Sequence, residues 1–116
     1  MYFMDYTFII DKLSTFIHSS LRNTWVMTED MNLYVRKSKR SYNGVIIECF
    51  DFASIEIKNP GNGIFTELLK QFELKYPHTN IFVESVLTDR FSNHLKKTFI
   101  EYPLESTNFF KVKTKI

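Results

Sequence analysis

The sequence holds one cysteine, three glycines and three prolines in 116 residues, and each scarcity excludes something. Cys49 alone forms no disulfide within the chain, no zinc knuckle and no CxxC redox pair, so packing must hold the fold and a reducing, cytoplasmic setting is expected. No run approaches the about eighteen apolar residues that a membrane-spanning helix needs. The opening MYFMDYTFIIDK carries Asp5 and Asp11 and has no basic segment, so neither a secretory leader nor a membrane partner is expected. Positive charge barely exceeds negative, 15 Lys and Arg against 13 Asp and Glu, which does not point to a nucleic-acid partner.

Aromatic residues are plentiful: twelve Phe and six Tyr give apolar surface enough for one core, and a chain of this length is expected to form a single domain over 1–116. From Tyr6 to Leu21, apolar residues at three- and four-residue steps predict an amphipathic helix. Thr24 to Met27 fits either a strand or an apolar plug. Met31 to Arg36 alternates with period two, and the Asn43-Gly44 pair predicts a tight hairpin into Val45 to Ile57, read as one bent strand or two short ones. Ile64, Phe65, Leu68, Leu69, Phe72 and Tyr76 then form one helical stripe, ended by Pro77. Asn80 to Leu87 reads as a strand, Thr88 as the cap of a helix burying Phe91, Leu95 and Phe99, and Asn108 to Val112 as a last strand.

A helix between two strands of one sheet is the crossover that parallel pairing requires, while the Asn-Gly hairpin is antiparallel. The expected fold is therefore α+β (α/β): a single-layer mixed sheet with a parallel central pair, flanked by helices.

Two glycines fall in Lys58-Asn59-Pro60-Gly61-Asn62-Gly63, between a strand and a helix. Backbone N–H groups point outward at such a turn and the helix dipole favours anions, so phosphate oxygens suit it; a turn that only reverses the chain is the other reading. It is no Walker loop, since no Lys-Ser/Thr follows Gly63, and no dinucleotide GxGxxG fingerprint.

The order of elements, together with Pro60-Gly61-Asn62-Gly63-Ile64-Phe65, resembles the GNAT acetyltransferase superfamily over roughly 31–112. The text DFASIEIKNPGNGIFTELLKQFE followed by NIFVESVL is similar to that of short phage-encoded GNAT-like proteins. The resemblance implies transfer of an acetyl group from acetyl-CoA to an amine of a small molecule or a protein. The cofactor would lie against Ile55, Ile57, Lys58, Asn59, Pro60, Gly61, Asn62, Gly63, Ile64 and Phe65. It also implies a strand carboxylate as base, Asp51 or Glu48 with Glu56 and Glu84 behind them, and an acid at His94, with Tyr102 the nearest phenol. Solvated strand carboxylates and a surface histidine are the alternative readings of these residues.

Four positions depart from the family pattern. Pro60 replaces Arg or Gln, Phe65 replaces Gly or Ala, Thr88 replaces Asn and Thr98 replaces Gly. They motivate a second reading, a catalytically inactive GNAT-fold binding protein such as a phage-type effector that occupies a host protein. Two further features have ordinary readings beside functional ones. Cys49 is read as a buried strand residue rather than an acyl carrier, and Arg36-Lys37-Ser38-Lys39-Arg40 as a solvated loop at a hairpin tip rather than a patch for an anionic partner. Phe50, Phe52, Phe109 and Phe110 are read as core. Oligomeric state is open, a dimer included.

Overall fold

The computed structural model describes residues 5–58, 63–84, 95, 97–101 and 108–114. Asp5 caps helix α1 (Tyr6–Ile17) by accepting a hydrogen bond from the Thr7 N–H at 3.0 Å. The helix ends a turn earlier than its apolar period, because Ser19 folds back on it. The Ser19 hydroxyl donates to the Phe16 carbonyl at 2.7 Å and accepts from the Leu21 N–H at 3.2 Å, which leaves Leu21 exposed.

Thr24 to Met27, open between strand and plug in the sequence, belongs to strand β1 (Asn23–Met27). It pairs antiparallel with β2 (Met31–Tyr42), which returns through Asn43 and Gly44 into β3 (Val45–Ile57). Both turn residues have positive φ, 50° and 77°, as a two-residue hairpin loop of the primed type demands. The basic run 36–40 is thus not a loop at a hairpin tip. It lies inside β2, and strand alternation sends Arg36, Ser38 and Arg40 to one face and Lys37 and Lys39 to the other.

Val45 to Ile57 forms one strand, with its irregularity at a single residue. Val35 pairs with Phe52 and Tyr34 with Ser54, so Ala53 is the extra residue of a β-bulge. The bulge explains the sequence pattern: Phe50 and Phe52 are core-facing at even numbers, Ile55 and Ile57 at odd ones, and one inserted residue keeps all four on the helix side.

Helix α2 (Ile64–Lys75) leads to β4 (Asn80–Val83), which lies parallel to β3 in the register Cys49–Asn80 to Phe52–Val83. Two further strands complete the sheet, β5 (Ile100–Glu101) and β6 (Phe109–Lys111). The order is β1-β2-β3-β4-β6-β5, antiparallel except for β3 and β4. Mixed pairing with a parallel central pair is the architecture expected from sequence.

Of the further expectations, Leu95 and Phe99 are buried, but Phe99 leads into β5 rather than ending a helix. Phe91, Thr88 and residues 85–87 of the expected strand lie outside the described residues.

Both helices cover one face of the sheet. Ile9, Leu13 and Phe16 of α1 and Ile64, Phe65, Leu68 and Phe72 of α2 share one core with Leu33, Val35, Phe50, Phe52 and Phe109. Phe50 meets both helices, with ring centroids 5.9 Å from Phe16 and 4.8 Å from Phe72. On the other face Ile47, Cys49, Phe82 and Phe110 form a smaller cluster. Asn80, buried at the start of β4, clips the last strand in place. Its amide donates to the Glu48 carbonyl and the Thr114 hydroxyl, and its oxygen accepts from the Lys113 and Thr114 N–H groups. Among the described residues no helix is long and apolar enough to cross a membrane.

Candidate functional site

The site is expected toward the carboxyl end of the parallel pair. Among the described residues the last bond between the two strands is Glu84 N–H to the Phe52 carbonyl, at 3.1 Å. Ala53 bulges at the next position, and from Ser54 to Ile57 β3 is paired only with β2 among the described residues. An extra residue increases local twist and bends its strand.

Beyond the bulge the chain passes Lys58, whose N–H donates to the Asp30 carbonyl at 3.0 Å, and enters α2 at Gly63. Gly63 adopts the left-handed region, with φ 66° and ψ 21°, which requires glycine on conformational grounds. It also brings no side chain of its own to cap the helix. A Cβ built at Gly63 would meet nothing within 4 Å among the described residues. Glycine there is set by the backbone angle.

Ile64 and Phe65 turn their side chains into the core, with Phe65 edge-on to Phe52 at 5.2 Å, so they offer a ligand only backbone. Ile55 and Ile57 are half-buried against the same core. Asn59, Pro60, Gly61 and Asn62 lie outside the described residues, as do His94 and Tyr102.

The two strand carboxylates singled out from sequence are not brought together. Glu48 is exposed on the helix-side face of β3, opposite Lys39, where the parallel pairing begins and roughly 30 Å of strand from Lys58. Asp51 lies on the opposite face and is fully buried. Its Oδ1 accepts from the Ser38 hydroxyl at 2.7 Å, and its Oδ2 accepts from Arg36 Nε and Arg40 Nη2, both at 2.7 Å. It is no solvated strand carboxylate.

Glu84, half-buried at the end of β4, completes the group by accepting from Arg36 Nη2, with Arg40 Nη2 3.7 Å away. The result is a charge-balanced network of two guanidiniums and two carboxylates. Arg36 and Arg40 as members of it were missed from sequence. The available signal was their i, i+4 spacing, with Ser38 between, on a strand paired with the one holding Asp51.

Cys49, at the start of the parallel pairing, is buried. Desolvation, followed by the nearby Asp51 carboxylate, pushes its thiol up to about 12, against the partial opposition of Arg40. A thiol so held is protonated at neutral pH and is no acyl-carrying nucleophile. No group of three or more His, Cys, Asp or Glu side chains among the described residues could hold a metal ion.

No family model and no curated protein matches the chain. Among solved structures it is similar to the Y144F mutant of the toxin AtaT, bound to the C-terminus of the antitoxin AtaR and acetyl-CoA. The TM-score is 0.52 at 17% identity, over 72% of this chain and 59% of that one. The chain thus spans under two thirds of the toxin's length, and at that identity the likeness is one of fold. The likeness to phage-encoded proteins has no counterpart in it. The fold of this chain is of the GNAT type.

Proposed function

We propose that the chain is a GNAT-type acyltransferase that takes an acetyl group from acetyl-CoA and delivers it to an amine of a small molecule or a protein. The observation that carries this reading is the β-bulge at Ala53, on the strand that leads to a helix whose N-cap, Gly63, brings no side-chain cap. A strand bent in this way would leave room beside it for an extended ligand arm, and the helix end would attract its phosphates. The structural likeness to a toxin solved with acetyl-CoA supports the choice of cofactor. Gly63, the Ile64 N–H and the turn at 59–62 would hold the pyrophosphate, with Lys58 adding charge.

In the reaction the neutral amine attacks the thioester carbonyl carbon, the C–S bond breaks, the amine gives up a proton and the thiolate takes one. Asp51 is the base candidate, and one of its present donors must yield before it accepts a proton. His94 is the acid candidate.

Isothermal titration with acetyl-CoA tests the reading. Saturable binding near the micromolar range is expected. Gly63→Ala, which strains the left-handed backbone angle and adds a methyl group before the helix end, should weaken it at least about tenfold, with helix content measured beside it. No binding of wild type at millimolar cofactor would sink the enzyme.

A second reading, a binding protein that has kept the fold without the reaction, is favoured by one observation. Both oxygens of Asp51 are already engaged, which suits a structural carboxylate. Cofactor binding with no label transferred from labelled acetyl-CoA to any component of a cell lysate, across a range of pH, would decide for it.

A further inference from the structure

Strand β1 ends the sheet, and no strand among the described residues pairs with its outer edge. Edge strands of natural sheets are normally guarded by Lys, Pro, a bulge or extreme shortness. The segment NTWVM has no charge, no proline, no glycine and no bulge against β2, and Trp25 and Met27 stand 49% and 61% exposed on it. The nearest charges bracket the strand with opposite signs: Arg22 before it and Glu29 after it. Both are exposed and neither side chain has a partner among the described residues.

We propose that this edge is the interface of a homodimer, in which β1 of two copies pair antiparallel about a two-fold axis through Trp25. The sequence of the strand fits itself in that register. Trp25 meets Trp25 of the second copy, Thr24 meets Val26, and Asn23 meets Met27, so no like charges oppose each other. Arg22 lies opposite Thr28 of the second copy and next to its Glu29, and symmetry makes this attraction twice. A same-sense parallel pairing would instead bring Arg22 to Arg22 and Glu29 to Glu29.

Trp25 already leans on Tyr34 of β2, with ring centroids 5.2 Å apart. The pairing therefore extends one aromatic ladder, Tyr34 to Trp25 to Trp25 to Tyr34, across the face of the sheet opposite α1 and α2. The inference is independent of acetyl-CoA binding, and its test does not use the cofactor.

Sedimentation velocity of the full chain, over roughly three decades of concentration around the micromolar range, should show a reversible monomer–dimer equilibrium. Trp25→Lys sets two like charges face to face on the axis and should leave monomer at every concentration. Arg22→Glu should weaken the dimer about tenfold, and adding Glu29→Arg to it should restore the wild-type constant, because the swap recreates both pairs. Should Trp25→Lys fail to fold, the charge swap decides alone. A wild type that is monomeric throughout, which is also the result if the edge receives a strand of another protein, overturns the proposal. So does a dimer indifferent to Trp25→Lys, or a swap that does not rescue.

Discussion

Arg40 holds its guanidinium carbon 3.4 Å from the centroid of the Phe82 ring while its Nη2 donates to Asp51 at 2.7 Å. One arginine thus joins two neighbours of β3, bonding to a carboxylate on β3 itself and stacking on an aromatic of β4. Because Asp51 pairs with Phe82 in the parallel register, the arginine spans the central strand pair one residue before the last described pair, Phe52 and Val83. Guanidinium stacks on an aromatic face and forks to a carboxylate in a way an ammonium does not, so lysine is no equivalent at this position.

Asp51→Ala should destabilise the protein by about 3 to 5 kcal/mol, since it leaves two arginines without their buried counter-charge. The loss should appear as a lowered urea midpoint. A variant that unfolds at the wild-type midpoint would remove the network from the account of stability. The size of this effect also means that loss of acyl transfer in Asp51 variants identifies a base only if the folded fraction is measured beside it.

Deleting Ala53 should leave the domain folded and remove acetyl-CoA binding. Without that residue Ser54 follows Phe52 directly, the pairing with Tyr34 and Val35 becomes regular, and Ile55 and Ile57 stay on the core side. What is lost is the bend that the bulge gives β3. Near-native far-UV circular dichroism with affinity lowered at least about tenfold is the expected pair of results. Full affinity in the deletion variant would show that the bulge does not shape the site.

Leu68→Ala should cost about 2 to 5 kcal/mol, because Leu68 is fully buried between α2 and the sheet. Leu74→Ala on the same helix should stay within about 0.5 kcal/mol, because Leu74 is 71% exposed. Chemical denaturation of both variants checks the difference. Similar values for the two would mean that α2 is turned about its axis relative to the arrangement described.

The Cys49 thiol should react with an aromatic disulfide reagent near neutral pH only at the rate of global unfolding, because it is buried and its thiolate is disfavoured. The same raised value has a stability consequence. The unfolded thiol ionises near its ordinary value of 9.0 and the folded one only at about 12, so between these the unfolded state binds fewer protons. Stability from this group is complete below pH 9 and falls as pH rises toward 12. Cys49→Ala should flatten that part of the profile, read from denaturant midpoints in alkaline buffers. A fast thiol reaction in the native protein would contradict the burial.

Much of the fold was legible in the residues themselves, where local rules act alone. The Asn43-Gly44 pair specifies a primed turn because few other residues accept two positive φ angles in a row. The stripe Ile64, Phe65, Leu68, Leu69 and Phe72 specifies the buried face of α2, including the inward turn of Phe65. The strand–helix–strand order specifies the parallel pair. The glycine at 63 was legible too, as the entry to a helix that needs a special backbone angle.

Other features depend on which strand lies beside which, and periodicity does not report that. The parity change from Phe52 to Ile55 marks a bulge only once the register against Tyr34 and Val35 is known. Arg36, Ser38 and Arg40 read as a charge run until pairing with β3 sets them around Asp51, because a strand residue takes its neighbours from another part of the chain. The sequence likewise offered Glu48 and Asp51 as alternative bases, and only the strand pairing shows one exposed on the helix side and the other buried on the opposite face. The sequence alone determined the elements, their order and the residues each must bury, because these follow from local geometry and hydrophobic period. The tertiary structure decided where β3 bulges, which charges meet and which described strand lies at the edge, because those are relations between segments far apart in the chain.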